Sequence, residues 1–221
     1  MMILTSHFYE VDFGPDGDLD KKAWAGVCRT SFNRDAFKRC AYPEIETAVA
    51  SLWTRECLYL AFWCRYEALN VFPLGEDCGE GSELWTRDVV EAFIAPDPVA
   101  ISHYYEVEVS PNNRSLELKI INQDSQLDTK SWVSGMNHAA RIESALRLWT
   151  VEMRIPFRSM GVAVVPGADW RINLFRADGA GSDEQRRLLS WSPLDTTIKS
   201  FHQPASFGML RFANPGSQSS P

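Results

Sequence analysis

Two apolar segments, Thr47 to Thr54 and Cys57 to Tyr66, stand either side of Arg55-Glu56, and a two-residue connection is the length of a tight β-hairpin turn. In the second segment Leu58, Leu60, Phe62 and Cys64 share one face of an extended chain, while Tyr59, Ala61 and Trp63 share the other. A strand that is apolar on both faces is covered on both, so this one is expected at the centre of a β architecture.

The remaining chain repeats the pattern. Strand-like runs lie at His7 to Asp12, Trp85 to Ala95, His103 to Val109, Ser115 to Ile121, Trp132 to Glu143, Arg147 to Ile155, Asp169 to Ala177, Arg187 to Trp191 and Phe207 to Phe212. With no long amphipathic helix among them, about ten or eleven short strands predict an all-β fold. The arrangement expected is a two-sheet antiparallel β-sandwich of immunoglobulin-like or jelly-roll-like form. Nothing reads as a linker, so residues 1–213 are expected to form a single domain, followed by a disordered tail at 214–221 of composition Asn-Pro-Gly-Ser-Gln-Ser-Ser-Pro. The loop from Asn70 to Ser82 is acidic and glycine-rich and reads as solvated.

Several function classes are disfavoured. A formal charge of −7 with scattered arginines and lysines offers no basic patch for nucleic acid. No basic and apolar leader opens the chain as given, and no run of ~20 apolar residues is present to span a membrane as a helix. Five cysteines (Cys28, Cys40, Cys57, Cys64, Cys78) have neither an even count nor zinc spacing, and read as small buried apolar residues. Cys57 and Cys64, seven apart on one strand, point to opposite faces and cannot bond. Asp16, Asp18 and Asp20 begin with the spacing of a calcium loop, but Lys21 and Val27 stand where such a loop needs Gly and Glu. Asp20 is instead expected to cap a helical turn that tucks Trp24 inwards. The sequon Asn113-Arg114-Ser115 carries little weight without a leader.

The stretch Glu83-Leu84-Trp85-Thr86-Arg87-Asp88-Val89-Val90-Glu91-Ala92-Phe93-Ile94-Ala95 holds the first functional candidates. Read as a strand from Trp85 onward, it puts Val90, Ala92 and Ile94 towards a core and places Trp85 and Glu91 together on the opposite face. Glu91 has Arg87 and Arg171 as alternative ion-pair partners.

The motifs Asp16-Gly17-x-Leu19-Asp20-x-x-x-Trp24, Leu58-Tyr59-Leu60-Ala61-Phe62 and Trp85-x-x-Asp88-x-Val90-Glu91-x-Phe93-Ile94 resemble, in this order, those of the family 9 carbohydrate-binding modules. So do Trp149-Thr150-Val151-Glu152-Met153-x-Ile155-Pro156-Phe157, Asp169-Trp170-Arg171-x-Asn173-x-Phe175-Arg176, Leu189-Ser190-Trp191-Ser192-Pro193 and Phe201-His202-x-Pro204-x-x-Phe207-Gly208. The likeness runs from about Asp16 to Phe212.

This resemblance implies a sandwich similar to the DOMON group, without catalysis, whose partner is a carbohydrate such as a glucan or xylan chain end gripped between two tryptophans. The matching positions are Trp85 and Trp191, with Glu91 at the acidic sugar contact and Arg171 and Asn173 as further polar candidates. His202 and Gln203 are weaker candidates, Arg176 reads as a surface charge, and Trp24, Trp53, Trp63, Trp132, Trp149 and Trp170 read as packing. The resemblance brings calcium as a candidate cofactor without assigning its ligands, and a secreted setting. Two other classes remain open. A haem-binding DOMON-type domain would draw ligands from Met136, His138, His103 or Met153, and a glycoside-processing enzyme would need two carboxylates across a cleft.

Overall fold

The computed structural model describes residues 1–73, 83–123, 126–179 and 185–216. Cys78, most of the acidic loop and residues 217–221 therefore lie outside the described residues.

Thirteen strands occur among the described residues and no α-helix: β1 (Ile3–Phe8), β2 (Thr30–Phe32), β3 (Thr47–Trp53), β4 (Cys57–Arg65), β5 (Val89–Ala95), β6 (His103–Val109), β7 (Ser115–Gln123), β8 (Gln126–Ser131), β9 (Asn137–Glu143), β10 (Leu148–Pro156), β11 (Asp169–Asp178), β12 (Arg187–Ser190) and β13 (Gly208–Phe212). Their hydrogen-bonded order is β8-β7-β6-β5-β11-β13-β1-β3-β4-β10-β9, with β12 added to β11 and β2 to β3.

The order folds over on itself. Val90, Ala92 and Ile94 of β5, Val107 of β6 and Leu174 of β11 share one apolar cluster with Val49, Leu60, Phe62, Val151 and Met153 of β3, β4 and β10. That cluster is the interior of the expected sandwich. Fully burying each such side chain contributes about 1.5–3 kcal/mol, so the cluster dominates the fold's stability.

β4 behaves as its sequence predicts. Its second face, with Tyr59, Ala61 and Trp63, is covered by the segment carrying Phe13, Leu19 and Trp24. Cys57 and Cys64 are buried in different clusters, on opposite faces as expected, whereas Cys28 and Cys40 are exposed rather than buried. The outer face of the other half is covered too: Phe93, Tyr104, Ile120 and Phe175 pack beneath Ala36, Leu194 and Phe207.

Three further expectations need correction. Pairing is not wholly antiparallel, because β1 runs parallel to both β13 and β3, with Ile3 opposite Met209 and Ser6 opposite Ser51. The first strand is Ile3–Phe8, earlier than expected. Asp20 does not cap the turn Lys22–Trp24, whose cap residue is Lys21 with no side-chain hydrogen bond. Trp24 is buried nonetheless, its indole Nε1 donating to Glu152 at 2.7 Å.

Arg176 is not a surface charge. Its side chain is fully buried, 3.3 Å from Asp88 and 3.8 Å from Asp178. It lies 4.9 Å from the Trp149 ring and donates to the Arg65 carbonyl at 3.3 Å. By strand parity it faces inwards with Ile172 and Leu174, so it crosses from β11 to β4 and β10 at one end of the core.

Candidate functional site

A cavity of about 390 Å³ opens on the outer face of β5, β6, β7 and β8. The registers explain why particular side chains meet there. Phe93 pairs with Glu106 and Glu91 with Glu108 between β5 and β6, and Glu106 pairs with Leu118 of β7. Directly opposed residues in antiparallel strands project to the same face, so Glu91, Phe93, Glu106, Glu108 and Leu118 form one surface.

Loops build the walls. Leu84–Thr86 is a single 3-10 turn, with Leu84 buried beneath it and Trp85 left 37% exposed at the cavity edge. The Trp85 carbonyl accepts a hydrogen bond from Arg186 Nη2, which holds that guanidinium on the same wall. Across the floor, Phe201 stacks on Phe175 with ring centres 4.1 Å apart, and it also lines the cavity. His202 is placed by Tyr104, whose hydroxyl lies 2.8 Å from Nδ1, and by Asn122, whose Nδ2 donates to the His202 carbonyl at 2.9 Å. Burial pushes the His202 imidazole down to about 4, so it is neutral at physiological pH. Gln203 straps this loop: Nε2 donates to the carbonyls of Asp195, Ile198 and Ser200, and Oε1 accepts from Asp195 N–H at 2.9 Å.

The floor is acidic and buried. Glu91, Glu106 and Glu108 are 2%, 4% and 0% exposed. Burial pushes all three carboxyls up, Glu106 to about 7 and the other two well above the carboxylate range, with mutual repulsion adding to the rise in Glu91 and Glu108. Arg186, rather than the expected Arg87 or Arg171, is the cation that draws Glu91 down.

Of the five residues singled out for sugar contact, the structure brings Trp85 and Glu91 to this cavity and not Trp191, Arg171 or Asn173. The two indoles do not face each other across one cleft. Trp191 is 3% exposed within the main apolar cluster, its Nε1 donating to Thr30 Oγ1 at 3.1 Å, and it packs against Gly208. Its edge lines a different cavity, of about 530 Å³, beside Arg34, Lys38 and Arg39. Asn173 has the expected parity, opposite Phe93, yet its amide is fully engaged. Oδ1 accepts from the N–H groups of Leu174 and Ser192, and Nδ2 donates to the Ser192 carbonyl at 3.1 Å, pinning the chain after β12 onto β11. Arg171, two residues further from Glu91, reaches the Ala205 carbonyl and Met1 Sδ, both at 3.5 Å.

Sequence reasoning did not select Glu106, Glu108, Phe93 or Phe201. The signal for the acids was present in His103-Tyr104-Tyr105-Glu106-Val107-Glu108-Val109, whose alternation places both glutamates beside Tyr104 on one face. The run marks a strand, but nothing within it tells that the acidic face is covered.

Two acidic groups are candidate cation holders. Asp16 and Asp18 do not fit: Lys21 Nζ stands 2.7 Å from Asp16, Arg141 stands 3.6 Å from Asp18, and their oxygens accept backbone N–H groups of the same turn. Glu91, Glu106 and Glu108 fit better, each offering an oxygen within 4.8 Å of the others. The candidate haem ligands do not stand out: Met136 and Met153 are packed in the main core and His103 is exposed.

The sequence profile of the carbohydrate family 9 binding domain-like family matches residues 16–214. An extracellular protein of Arthroderma benhamiae is 24% identical over 181 residues, covering 77% of this chain and 80% of its own. A candidate carbohydrate-binding protein from Bacteroides uniformis superposes with a TM-score of 0.74 at 20% identity, over 95% of this chain and 98% of its own. Two structures of a family 9 carbohydrate-binding module from Caldicellulosiruptor kristjanssonii also superpose. The complex with cellotriose has a TM-score of 0.67 at 14% identity, covering 100% of this chain and 98% of the module. The glucose complex has 0.64 at 16%, covering 98% and 100%.

Proposed function

Since the chain belongs to the carbohydrate family 9 binding domain-like family, we propose that it is a non-catalytic carbohydrate-binding module. Its cavity on β5 and β6 takes the end of a glucan- or xylan-type saccharide. The observation that carries this reading is Trp85, an indole left 37% exposed on a rigid turn at the rim of a cavity with acids in its floor. A pyranose ring lays its C–H face on such an indole, while the carboxyls, Arg186 and Lys199 exchange hydrogen bonds with hydroxyls. A volume of about 390 Å³ lies near the lower end of the ~300–1,000 Å³ usual for small-molecule sites, which suits a chain end rather than a groove along a polymer. The saccharide complexes of the Caldicellulosiruptor module support this ligand class, and the extracellular relative supports action outside the cell.

The test is a glycan array probed with the wild type and Trp85→Ala, followed by calorimetry on the strongest hit. Losing the indole face should raise Kd at least tenfold, about 1.4 kcal/mol, with the melting temperature unchanged. Absence of any bound glycan, or equal binding by the variant, refutes the proposal. Two acids lining a cavity, with Glu108 buried beside them, also favour a glycosidase as second reading. Burial pushes all of them in one direction, however, whereas hydrolysis needs one carboxyl held up and its partner held ionised. Release of reducing sugar from a bound oligosaccharide would establish it.

A further inference from the structure

Glu91, Glu106 and Glu108 stand on adjacent strands, and each places a carboxylate oxygen within 4.8 Å of the other two. Calcium takes oxygen ligands at about 2.3–2.6 Å, so ligands on opposite sides of the ion are about 4.6–5.2 Å apart. Three oxygens within that span are close enough to share one ion.

A second observation makes this more than a cluster of acids. All three side chains are at least nine-tenths buried; Glu91 Oε1 has no hydrogen-bond partner among the described residues, and Glu106 Oε2 and both oxygens of Glu108 have none there beyond each other's carboxyl. Apart from the Glu91–Glu108 pair itself, their cross-strand neighbours are apolar: Leu116 opposite Glu108, Leu118 and Phe93 opposite Glu106, and Phe175 opposite Glu91. Buried acceptors are normally satisfied, and a cluster of three with a single guanidinium acting on Glu91 lacks positive charge. The donor set is all oxygen, with no His or Cys, which selects hard cations over zinc or copper. Donors held by strand geometry rather than by an octahedral cage suit calcium better than magnesium.

We propose that Glu91, Glu106 and Glu108 bind a hard divalent cation, calcium foremost, beneath the cavity, and that the ion's remaining coordination positions face the ligand. Glu91 and Glu106 line the cavity, and Glu108, fully buried, stands opposite Glu91 on the same face. Vicinal hydroxyls of a saccharide are the groups that complete such a shell from the open side. This last step rests on the carbohydrate reading; the ion site does not.

The experiment uses the full chain, stripped with EDTA, dialysed and titrated at pH 7.5 with calcium chloride by calorimetry, with magnesium and manganese in parallel. Melting temperature is the second readout. One site is expected, raising the melting temperature and lost in Glu91→Gln and Glu106→Gln, with Glu108→Gln as a third variant should either fail to fold. Asp16→Asn, outside the cluster, should titrate like the wild type. No binding of any of the three ions at about ten times the ~10⁻³ M Kd of weak extracellular calcium modules overturns the site. So does calcium binding that survives all three glutamine changes. The strongest array saccharide is then titrated with calcium and with EDTA. At least tenfold weaker binding in EDTA supports coordination of the sugar, and equal binding overturns that step while leaving the ion site standing. If no saccharide binds under either condition, the carbohydrate reading fails, and the calcium titration still decides the site.

Discussion

Replacing Arg176 with methionine removes the charge from the buried end of the core while keeping most of the side chain's length. The substitution takes the cation from Asp88, which is fully buried beside it and keeps only the Asn70 N–H among the described residues. It takes a second cation from buried Asp178, which keeps Arg187 Nε at 2.7 Å, and removes the contacts to Trp149 and the Arg65 carbonyl. Removing one partner of a buried ion pair costs about 3–5 kcal/mol, and at about 2–4 °C per kcal/mol for a chain of this size the melting temperature should fall by roughly 6–20 °C. The loss should depend on pH. Burial holds the Asp88 carboxyl up at about 6, and Arg176 pulls it down towards that value. A native value above the unfolded one of about 3.9 means that the wild type loses stability as pH rises from about 4 through about 6, by about 3 kcal/mol at ~1.4 kcal/mol per pH unit. Without Arg176 the carboxyl rises further, so the variant continues to lose stability above pH 6. The deficit relative to wild type is therefore expected to be larger at pH 8 than at pH 5, where Asp88 is protonated in both. Calorimetric melts of both proteins at the two pH values measure it. A deficit of under about 2 °C at pH 8, or an equal one at both pH values, would show that Arg176 does not neutralise these carboxylates.

Trp191→Ala should destabilise by about 3–5 kcal/mol, as loss of a core aromatic does, but where the variant is still folded its saccharide Kd should match the wild type. Weakened binding by a folded variant would return Trp191 to the ligand site. Gly208→Ala puts a Cβ 2.5 Å from Trp191 Cζ3 and 2.9 Å from the Met2 carbonyl. It should lower the urea midpoint by the equivalent of about 1–3 kcal/mol, and an unshifted midpoint would contradict that packing. His202, pushed down to about 4 by burial, lends stability that is full above its unfolded value of about 6.5 and is lost as pH falls through about 4, at most about 3 kcal/mol. His202→Gln should flatten this acid limb of the melting-temperature profile relative to wild type, and an unchanged limb would place its origin elsewhere.

Legibility from sequence followed locality. Alternation correctly assigned Val90, Ala92 and Ile94 to the core and Glu91 and Phe93 to the other face, because strand parity needs no knowledge of distant residues. β8 escaped notice because all six of its residues are exposed, leaving no apolar period to read. Arg176 was misread because an arginine on an alternating strand resembles a solvent contact unless its partner is known, and Asp88 is distant in sequence. Trp191 was misread similarly, since Thr30 and Gly208 make its pocket and neither marks itself locally. Glu106 and Glu108 lay in plain alternation, but the loops that roof their face, carrying Ala36, Leu194 and Phe207, are contributed by other parts of the chain. Family resemblance reached the cavity through Trp85 and Glu91, the two candidates carried on one continuous stretch.

The parallel seam at β1 also bears on how the chain folds. Ile3 finds Met209 and Ser6 finds Ser51, and β13 in turn carries the hydrogen bonds to β11 that lead on to β5 and the acidic floor. No short hairpin can nucleate that join, and closing a loop of such length delays the contact without much weakening it once formed. During synthesis β3, β4 and β10 can associate early through their antiparallel pairings, but β11 gains its connection to β1 only when residues near Met209 have left the ribosome. Until then the inner faces of the two halves wait as exposed apolar surface, so the nascent chain is most vulnerable to aggregation just before its last strand arrives.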